Sequence, residues 1–211
     1  MDDFEFEVPL VPMIGGVKSS EIPTPEEYTY WKDRKNRNFY IDYEITDDYS
    51  LVELAKIIIQ MNMEEKDIPK NELKPIYIWI HSFGGDSFQA NMFSDLLIAS
   101  RIPIVTIALG SAMSAGFEIL IAGHRRYAFK HTQTLVHAGY AAFQGTQSEI
   151  EEFQKNNKKQ LDRTKEYVLS RTAIDEKLFN KNKNKDWYIS GEDLVKYHVV
   201  DKLIENISDV F

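Results

Sequence analysis

The chain has no cysteine. That excludes disulfides, thiolate zinc sites and a cysteine nucleophile, and leaves the redox compartment open. No apolar run approaches the ~18 residues of a membrane-spanning helix, so no transmembrane segment is expected. Positive charge is in deficit: Lys and Arg total 25 against 33 Asp and Glu, a formal net charge of -8. This argues against nucleic-acid binding. The opening residues, Met1-Asp2-Asp3-Phe4-Glu5-Phe6-Glu7, are acidic where a secretory signal is basic. Together these absences lead to the expectation of a cytoplasmic protein with neither a nucleic-acid nor a membrane partner.

What is present is enough for a core. Apolar residues make up 43% of the 211, which excludes a disordered chain and fits one ordinary-to-large domain. Residues 1–35 read as an irregular N-terminal arm. Prolines and glycines break its apolar stretch Val8-Pro9-Leu10-Val11-Pro12-Met13-Ile14-Gly15-Gly16, and an aromatic, charged stretch follows from Tyr28 to Lys35. Its apolar residues pack on another subunit, on a partner or on their own domain. Residues 36–211 are expected to form a single domain.

Phe39-Tyr40-Ile41-Asp42-Tyr43 opens that domain as a strand. Ser50 is a candidate N-cap for a helix with Leu51, Leu54, Ile57, Ile58 and Met61 at 3/4 spacing. Ile76-Tyr77-Ile78-Trp79-Ile80 is a strand ending at the glycine turn His81-Ser82-Phe83-Gly84-Gly85-Asp86. A helix with Phe88, Met92, Phe93, Leu96 and Leu97 comes next, then a strand from Ile102 to Leu109. The small-residue turn Gly110-Ser111-Ala112-Met113-Ser114-Ala115-Gly116 leads into an apolar helix that stops at Gly123. Short strands lie at residues 127–129 and 134–137, and a heavily charged helix at about 147–171. A polar stretch at 174–185, a final short helix and a closing strand complete the chain. This β-α-β-α alternation predicts an α/β fold with a mostly parallel sheet.

Ser114 sits where a strand hands over to a helix. Free N–H groups and the positive end of the helix dipole stabilise a developing oxyanion there. The same turn also suits a tight packing of small residues. His137 ends a strand and Asp186 precedes another, so Ser114, His137 and Asp186 are candidates for a nucleophile, a general base and its orienting acid. The N–H groups of Gly85 and Ala115 are candidates for an oxyanion hole.

From about Phe39 to Ile207 the chain resembles the Clp-type serine peptidases, the proteolytic subunits that work with ATP-driven unfoldases. His81-Ser82-Phe83-Gly84-Gly85-Asp86 is similar to that family's Asn-Ser-Pro-Gly-Gly-Ser, and Gly110 to Gly116 to its Gly-Met-Ala-Ala-Ser-Met-Gly. Leu135-Val136-His137 resembles the catalytic-histidine strand, Gln144 to Glu151 the start of the long handle helix, and Lys185 to Glu192 the segment carrying the catalytic Asp. The resemblance implies a crotonase-like spiral β-α-β core with a protruding handle helix. It implies serine endopeptidase activity through Ser114, His137 and Asp186, with substrate bound along Gly84, Gly139, Tyr140 and Ala141. It also implies a homo-oligomeric ring, stacked or single, enclosing the sites and fed polypeptide by an AAA+ unfoldase. Acyl-enzyme hydrolysis needs neither metal nor cofactor, and the chain has no Gly-x-x-x-x-Gly-Lys-Ser/Thr loop, so ATP use falls to the partner.

The departures are specific. Phe83 replaces a proline, Ala138-Gly139 a Gln-Pro, and Asn184-Lys185-Asp186 an Asp-Arg-Asp; losing that first Asp removes an inter-ring ion pair. Glu118 stands at a position that is apolar in the family, where a buried carboxylate is costly unless paired. The alternatives these raise are a catalytically silent ring subunit, a phage-type capsid- or scaffold-processing peptidase, and a crotonase-like acyl-CoA enzyme.

Overall fold

The computed structural model describes residues 24–47 and 50–211. The chain divides into two units, Met1–Asn36 and Arg37–Phe211. The described part of the first is a helix, α1 (Pro25–Lys35), where an irregular arm was expected. Its start is locally encoded. Thr24 accepts from Glu27 N (3.2 Å), the Glu27 carboxylate accepts from Thr24 N (2.8 Å), and Pro25 occupies the first helical position, whose N–H has no partner to lose. The apolar stretch at residues 8–16 lies outside the described residues.

The second unit is built on β1 (Asn38–Ile41), β2 (Ile76–Ser82), β3 (Ile104–Met113), β4 (Arg125–Phe129) and β7 (Lys202–Ile204), parallel and in the spatial order β1-β2-β3-β4-β7. Between these strands run α2 (Ser50–Glu64), α3 (Ser87–Ala99), α4 (Ala115–Ala122), α5 (Gln147–Arg171), α6 (Glu176–Asn182) and α7 (Glu192–Lys196). Ile76, Ile78, Ile80, Ile104, Val105 and Ile107 are buried, as strands covered on both faces require. The architecture is the α/β, mostly parallel arrangement with a long helix that the sequence predicts.

β3 is the strand that delivers Ser114. The sequence places its end at Leu109; the strand continues to Met113. Its first half, Val105 to Ala108, pairs with β4. Its second half, Ser111 to Met113, pairs with β5 (Gln133–Val136), while Ala112 also pairs with Ser82 of β2. Those ladder partners hold residues that composition alone marks as a turn. β5 pairs antiparallel with β6 (Trp187–Ser190) on its other side.

α4 begins one residue after β3, the residue between being Ser114. All of it is buried except Glu118. Burying a side chain such as Phe117 contributes about 1.5–3 kcal/mol, so α4 is fixed by its surroundings. Gly123 ends it with φ -56, not in the left-handed region; a side chain there is excluded because its Cβ would collide with Thr106 Oγ1.

α5 is capped by Thr146 and Glu149, and only Val168 among its residues is buried. Its C-terminal turn holds α4. Tyr167 donates its hydroxyl to Glu118 O (2.9 Å), and the Arg171 guanidinium donates to the carbonyls of Ile121 (2.9 Å), Ala122 (3.3 Å) and Gly123 (2.8 Å). The Arg171 donors satisfy carbonyls that the end of α4 leaves without an intrahelical partner. α6 occupies the stretch read from sequence as polar loop; Asp175 caps it by accepting from Leu178 N at 2.7 Å. Ser50, the candidate cap of α2, is its first helical residue. No helix among the described residues is long and apolar enough to cross a membrane.

Candidate active site

Three neighbouring strand ends converge. The β3–β5 ladder has Met113 beside Leu135, and the β5–β6 ladder has Val136 opposite Trp187. One residue beyond these strand ends come Ser114, His137 and Asp186. Ser114 N donates to Leu135 O (2.9 Å), which ties the serine turn to β5. Ser114 has φ 52 and ψ -120, a backbone geometry unusual for a residue with a side chain. This sharp strand-to-helix junction presents its Oγ to His137.

Ser114 Oγ lies 2.8 Å from His137 Nε2, and His137 Nδ1 lies 3.3 Å from Asp186 Oδ1. With the proton on Nδ1, His137 donates to Asp186 and its Nε2 accepts from the serine hydroxyl. The His137 side chain is 14% exposed and that of Asp186 is 49% exposed, so water shares the carboxylate. Tyr140, 93% exposed, meets the His137 ring edge-on at 5.9 Å between centroids.

The turn after β2 closes the other side. Ile45 N donates to Gly84 O (2.8 Å) and Asp86 N donates to Ile45 O (2.7 Å). This bridge leaves the Gly85 N–H out of the pairing. Gly84 and Gly85 have φ 104 and 140, and neither tolerates a side chain. A Cβ on Gly84 would meet Met113 O at 2.6 Å and Ser114 Cβ at 2.8 Å; one on Gly85 would collide with Ile45 O. The glycine turn therefore lies directly against the serine turn. Ala115 is the first residue of α4, where an N–H has no acceptor within the helix. Asp86 caps α3 by accepting from Phe88 N (2.7 Å) and Gln89 N (3.1 Å).

A cavity of about 480 Å³ opens at this junction and includes Gly85, Ser114, Glu118, His137 and residues 139–141 in its wall. Residues 138–145, which include the substrate-binding candidates Gly139, Tyr140 and Ala141, carry no strand pairing. A further cavity of about 250 Å³ opens on the side of Trp187 and shares His137, Ala138, Leu161 and Thr164 with the first. Burial pushes the Glu118 carboxyl up from its ordinary 4.5 to about 7.

The sequence reading misses the part of the wall contributed by Asn91 of α3 and by Asn157, Gln160, Leu161 and Thr164 of α5. A signal exists for α5: these positions follow 3/4 spacing and share one helix face. Among the described residues no group of three or more His, Cys, Asp or Glu is suited to hold a metal ion.

The Clp protease family profile matches residues 30–207 of the chain. A relative from Treponema denticola, ATP-dependent Clp protease proteolytic subunit 2, is 29% identical over 157 residues, covering 74% of this chain and 77% of the relative. The ATP-dependent Clp protease proteolytic subunit of Deinococcus radiodurans is 25% identical over 151 residues, 71% of this chain and 72% of its own. With its α/β core, its long helix and a profile match across nearly all of the second unit, this chain belongs to the Clp protease family of peptidases.

Proposed function

We propose that the chain is a serine endopeptidase in which Ser114 is the nucleophile, His137 the general base and Asp186 the residue that orients it. The observation that carries this reading is the unbroken relay from Ser114 Oγ through His137 to Asp186, at 2.8 and 3.3 Å. His137 takes the hydroxyl proton as Oγ adds to the substrate carbonyl carbon. The resulting oxyanion accepts from the N–H groups of Gly85 and Ala115. The C–N bond then breaks and His137 returns the proton to the departing amine. Water adds to the acyl-enzyme by the same route, with His137 again as base, and frees Ser114. Gly84 and residues Gly139, Tyr140 and Ala141 flank an extended substrate backbone, a role suited to a segment whose backbone groups are not paired in a ladder.

The rest of the proposal concerns assembly. Residues 1–35 are an N-terminal arm and 36–211 the peptidase domain, which forms a homo-oligomeric ring in the cytoplasm and receives unfolded polypeptide from an AAA+ unfoldase. Support comes from the relatives' description as proteolytic subunits of an ATP-dependent protease. Support comes also from α5, a 25-residue helix in which only Val168 is buried and Phe153 stands 49% exposed, so it has surface to bury against another copy.

The test is intact-mass analysis after treatment with a fluorophosphonate, on the wild type and on Ser114→Ala. One adduct in the wild type and none in the variant is expected, together with a loss of peptide cleavage of at least ~10⁴-fold. Equal labelling or equal cleavage in the variant removes Ser114 from the mechanism.

A further inference from the structure

α4 is an apolar helix with one polar side chain. Glu118 stands four residues after Ser114, in the first turn of α4. It lines the same cavity as Ser114 and His137. Its Oε2 is shut off from solvent and has no hydrogen-bond partner among the described residues. A buried carboxylate oxygen without a donor is destabilising, and the raised Glu118 pKa is the consequence. The relay from Ser114 to Asp186 makes no use of this group.

The wall around it explains what is missing. Asn91, Asn157 and Gln160 bring side-chain amides to the cavity, and Thr164 a hydroxyl. Among the described residues no lysine or arginine lines this cavity. The wall thus offers one carboxylate among neutral amides and a hydroxyl that both donate and accept, and the charge complement of that carboxylate is a cation carried in by the ligand.

We propose that Glu118 is the specificity-determining residue of the Ser114 site, and that the cavity takes a lysine or arginine side chain on the acyl side of the scissile bond. The proposal rests on the serine-peptidase reading above. In the bound state Glu118 pairs as a carboxylate with the ammonium or guanidinium, and the amides of Asn91, Asn157 and Gln160 have oxygens that can accept from the remaining donors. A leucine side chain fills the same space but leaves the carboxyl unpaired.

The test uses the full chain with three serine-directed probes at pH 8. One is a simple fluorophosphonate. The other two are peptidyl diphenyl phosphonates that differ only in a lysine-type or a leucine-type side chain at the acyl position. The rate of adduct formation on Ser114 is followed by intact mass for the wild type, Glu118→Gln and Glu118→Leu. The wild type is expected to react about 10-fold or more faster with the lysine-type probe. The preference should fall towards unity in Glu118→Gln and reverse in Glu118→Leu. The readout is the ratio of the two rates, since damage to the fold slows both probes alike and leaves the ratio where it was. Glu118→Gln keeps size and shape and decides the matter alone should the leucine variant fail to fold. A wild type that takes the fluorophosphonate yet prefers the leucine-type probe, or a ratio unmoved in Glu118→Gln, overturns this proposal and leaves the serine-peptidase reading standing. No adduct with any of the three probes overturns both.

Discussion

Replacing Glu118 by Gln should stabilise the protein, and by an amount that depends on pH. The Glu118 carboxyl rises from an ordinary 4.5 to about 7 in the folded state because burial disfavours its charged form. A group with a raised folded pKa binds more protons folded than unfolded between those two values, so stability falls as pH rises. The stabilising contribution is complete below pH 4.5, declines through about pH 7 and is gone above it. The difference of about 2.5 between 7 and 4.5 corresponds to about 3 kcal/mol at 1.36 kcal/mol per unit. Between pH 5 and pH 8 the folded wild type should therefore lose about 2 kcal/mol relative to the Gln variant, water in the cavity taking up part of the penalty. All other titrating groups are common to both proteins and cancel in the comparison. The assay is urea unfolding at pH 5 and pH 8, followed by fluorescence of the three tryptophans at one fixed protein concentration. A gap between variant and wild type that is the same at both pH values refutes the reasoning, because a change of shape or packing alone has no reason to track proton uptake.

Two further outcomes concern other parts of the fold. Asp186→Asn should retain the fold but lower kcat by ~10²–10³, less than the ~10⁴ seen where such a carboxylate is fully buried, because Asp186 is 49% exposed; peptide hydrolysis with circular dichroism as the control measures it. Arg171→Ala should cost about 2–3 kcal/mol in urea unfolding, since the carbonyls of Ile121, Ala122 and Gly123 lose a charged donor and the end of α5 is released from α4; a loss under about 1 kcal/mol would show that water replaces the guanidinium.

The central alternation of strands and helices is legible because each element carries its own period: isoleucine-rich strands, then helices with 3/4 apolar spacing. α1 and α6 escape such a reading for a common reason. Both are polar, so periodicity is silent, and what encodes them is capping: Thr24 with Glu27, and Asp175 with Leu178 N. The end of β3 is hidden because Gly110 to Met113 has turn-like composition, and only its partners in β2 and β5 make it a strand. Ser114 is marked by its position between an apolar strand and an apolar helix. His137 and Asp186 are marked by resemblance far more than by spacing, since what brings them together is the β5–β6 register, a long-range fact. The polar wall of the cavity is invisible from α3 alone, because Asn91 acquires meaning only opposite α5.

The three converging strand ends have a consequence for quality control within the molecule. Each of Ser114, His137 and Asp186 stands one step beyond a paired residue, so their alignment reports how the strands are threaded. A slip of a single residue between β5 and β6 would carry Asp186 ~3.3 Å along the sheet and turn its side chain to the opposite face. If the three residues act together as proposed, an incompletely threaded copy would be disarmed by the same error that misfolds it. Under the serine-peptidase proposal, such a chain would gain its relay only once the β5–β6 register is in place.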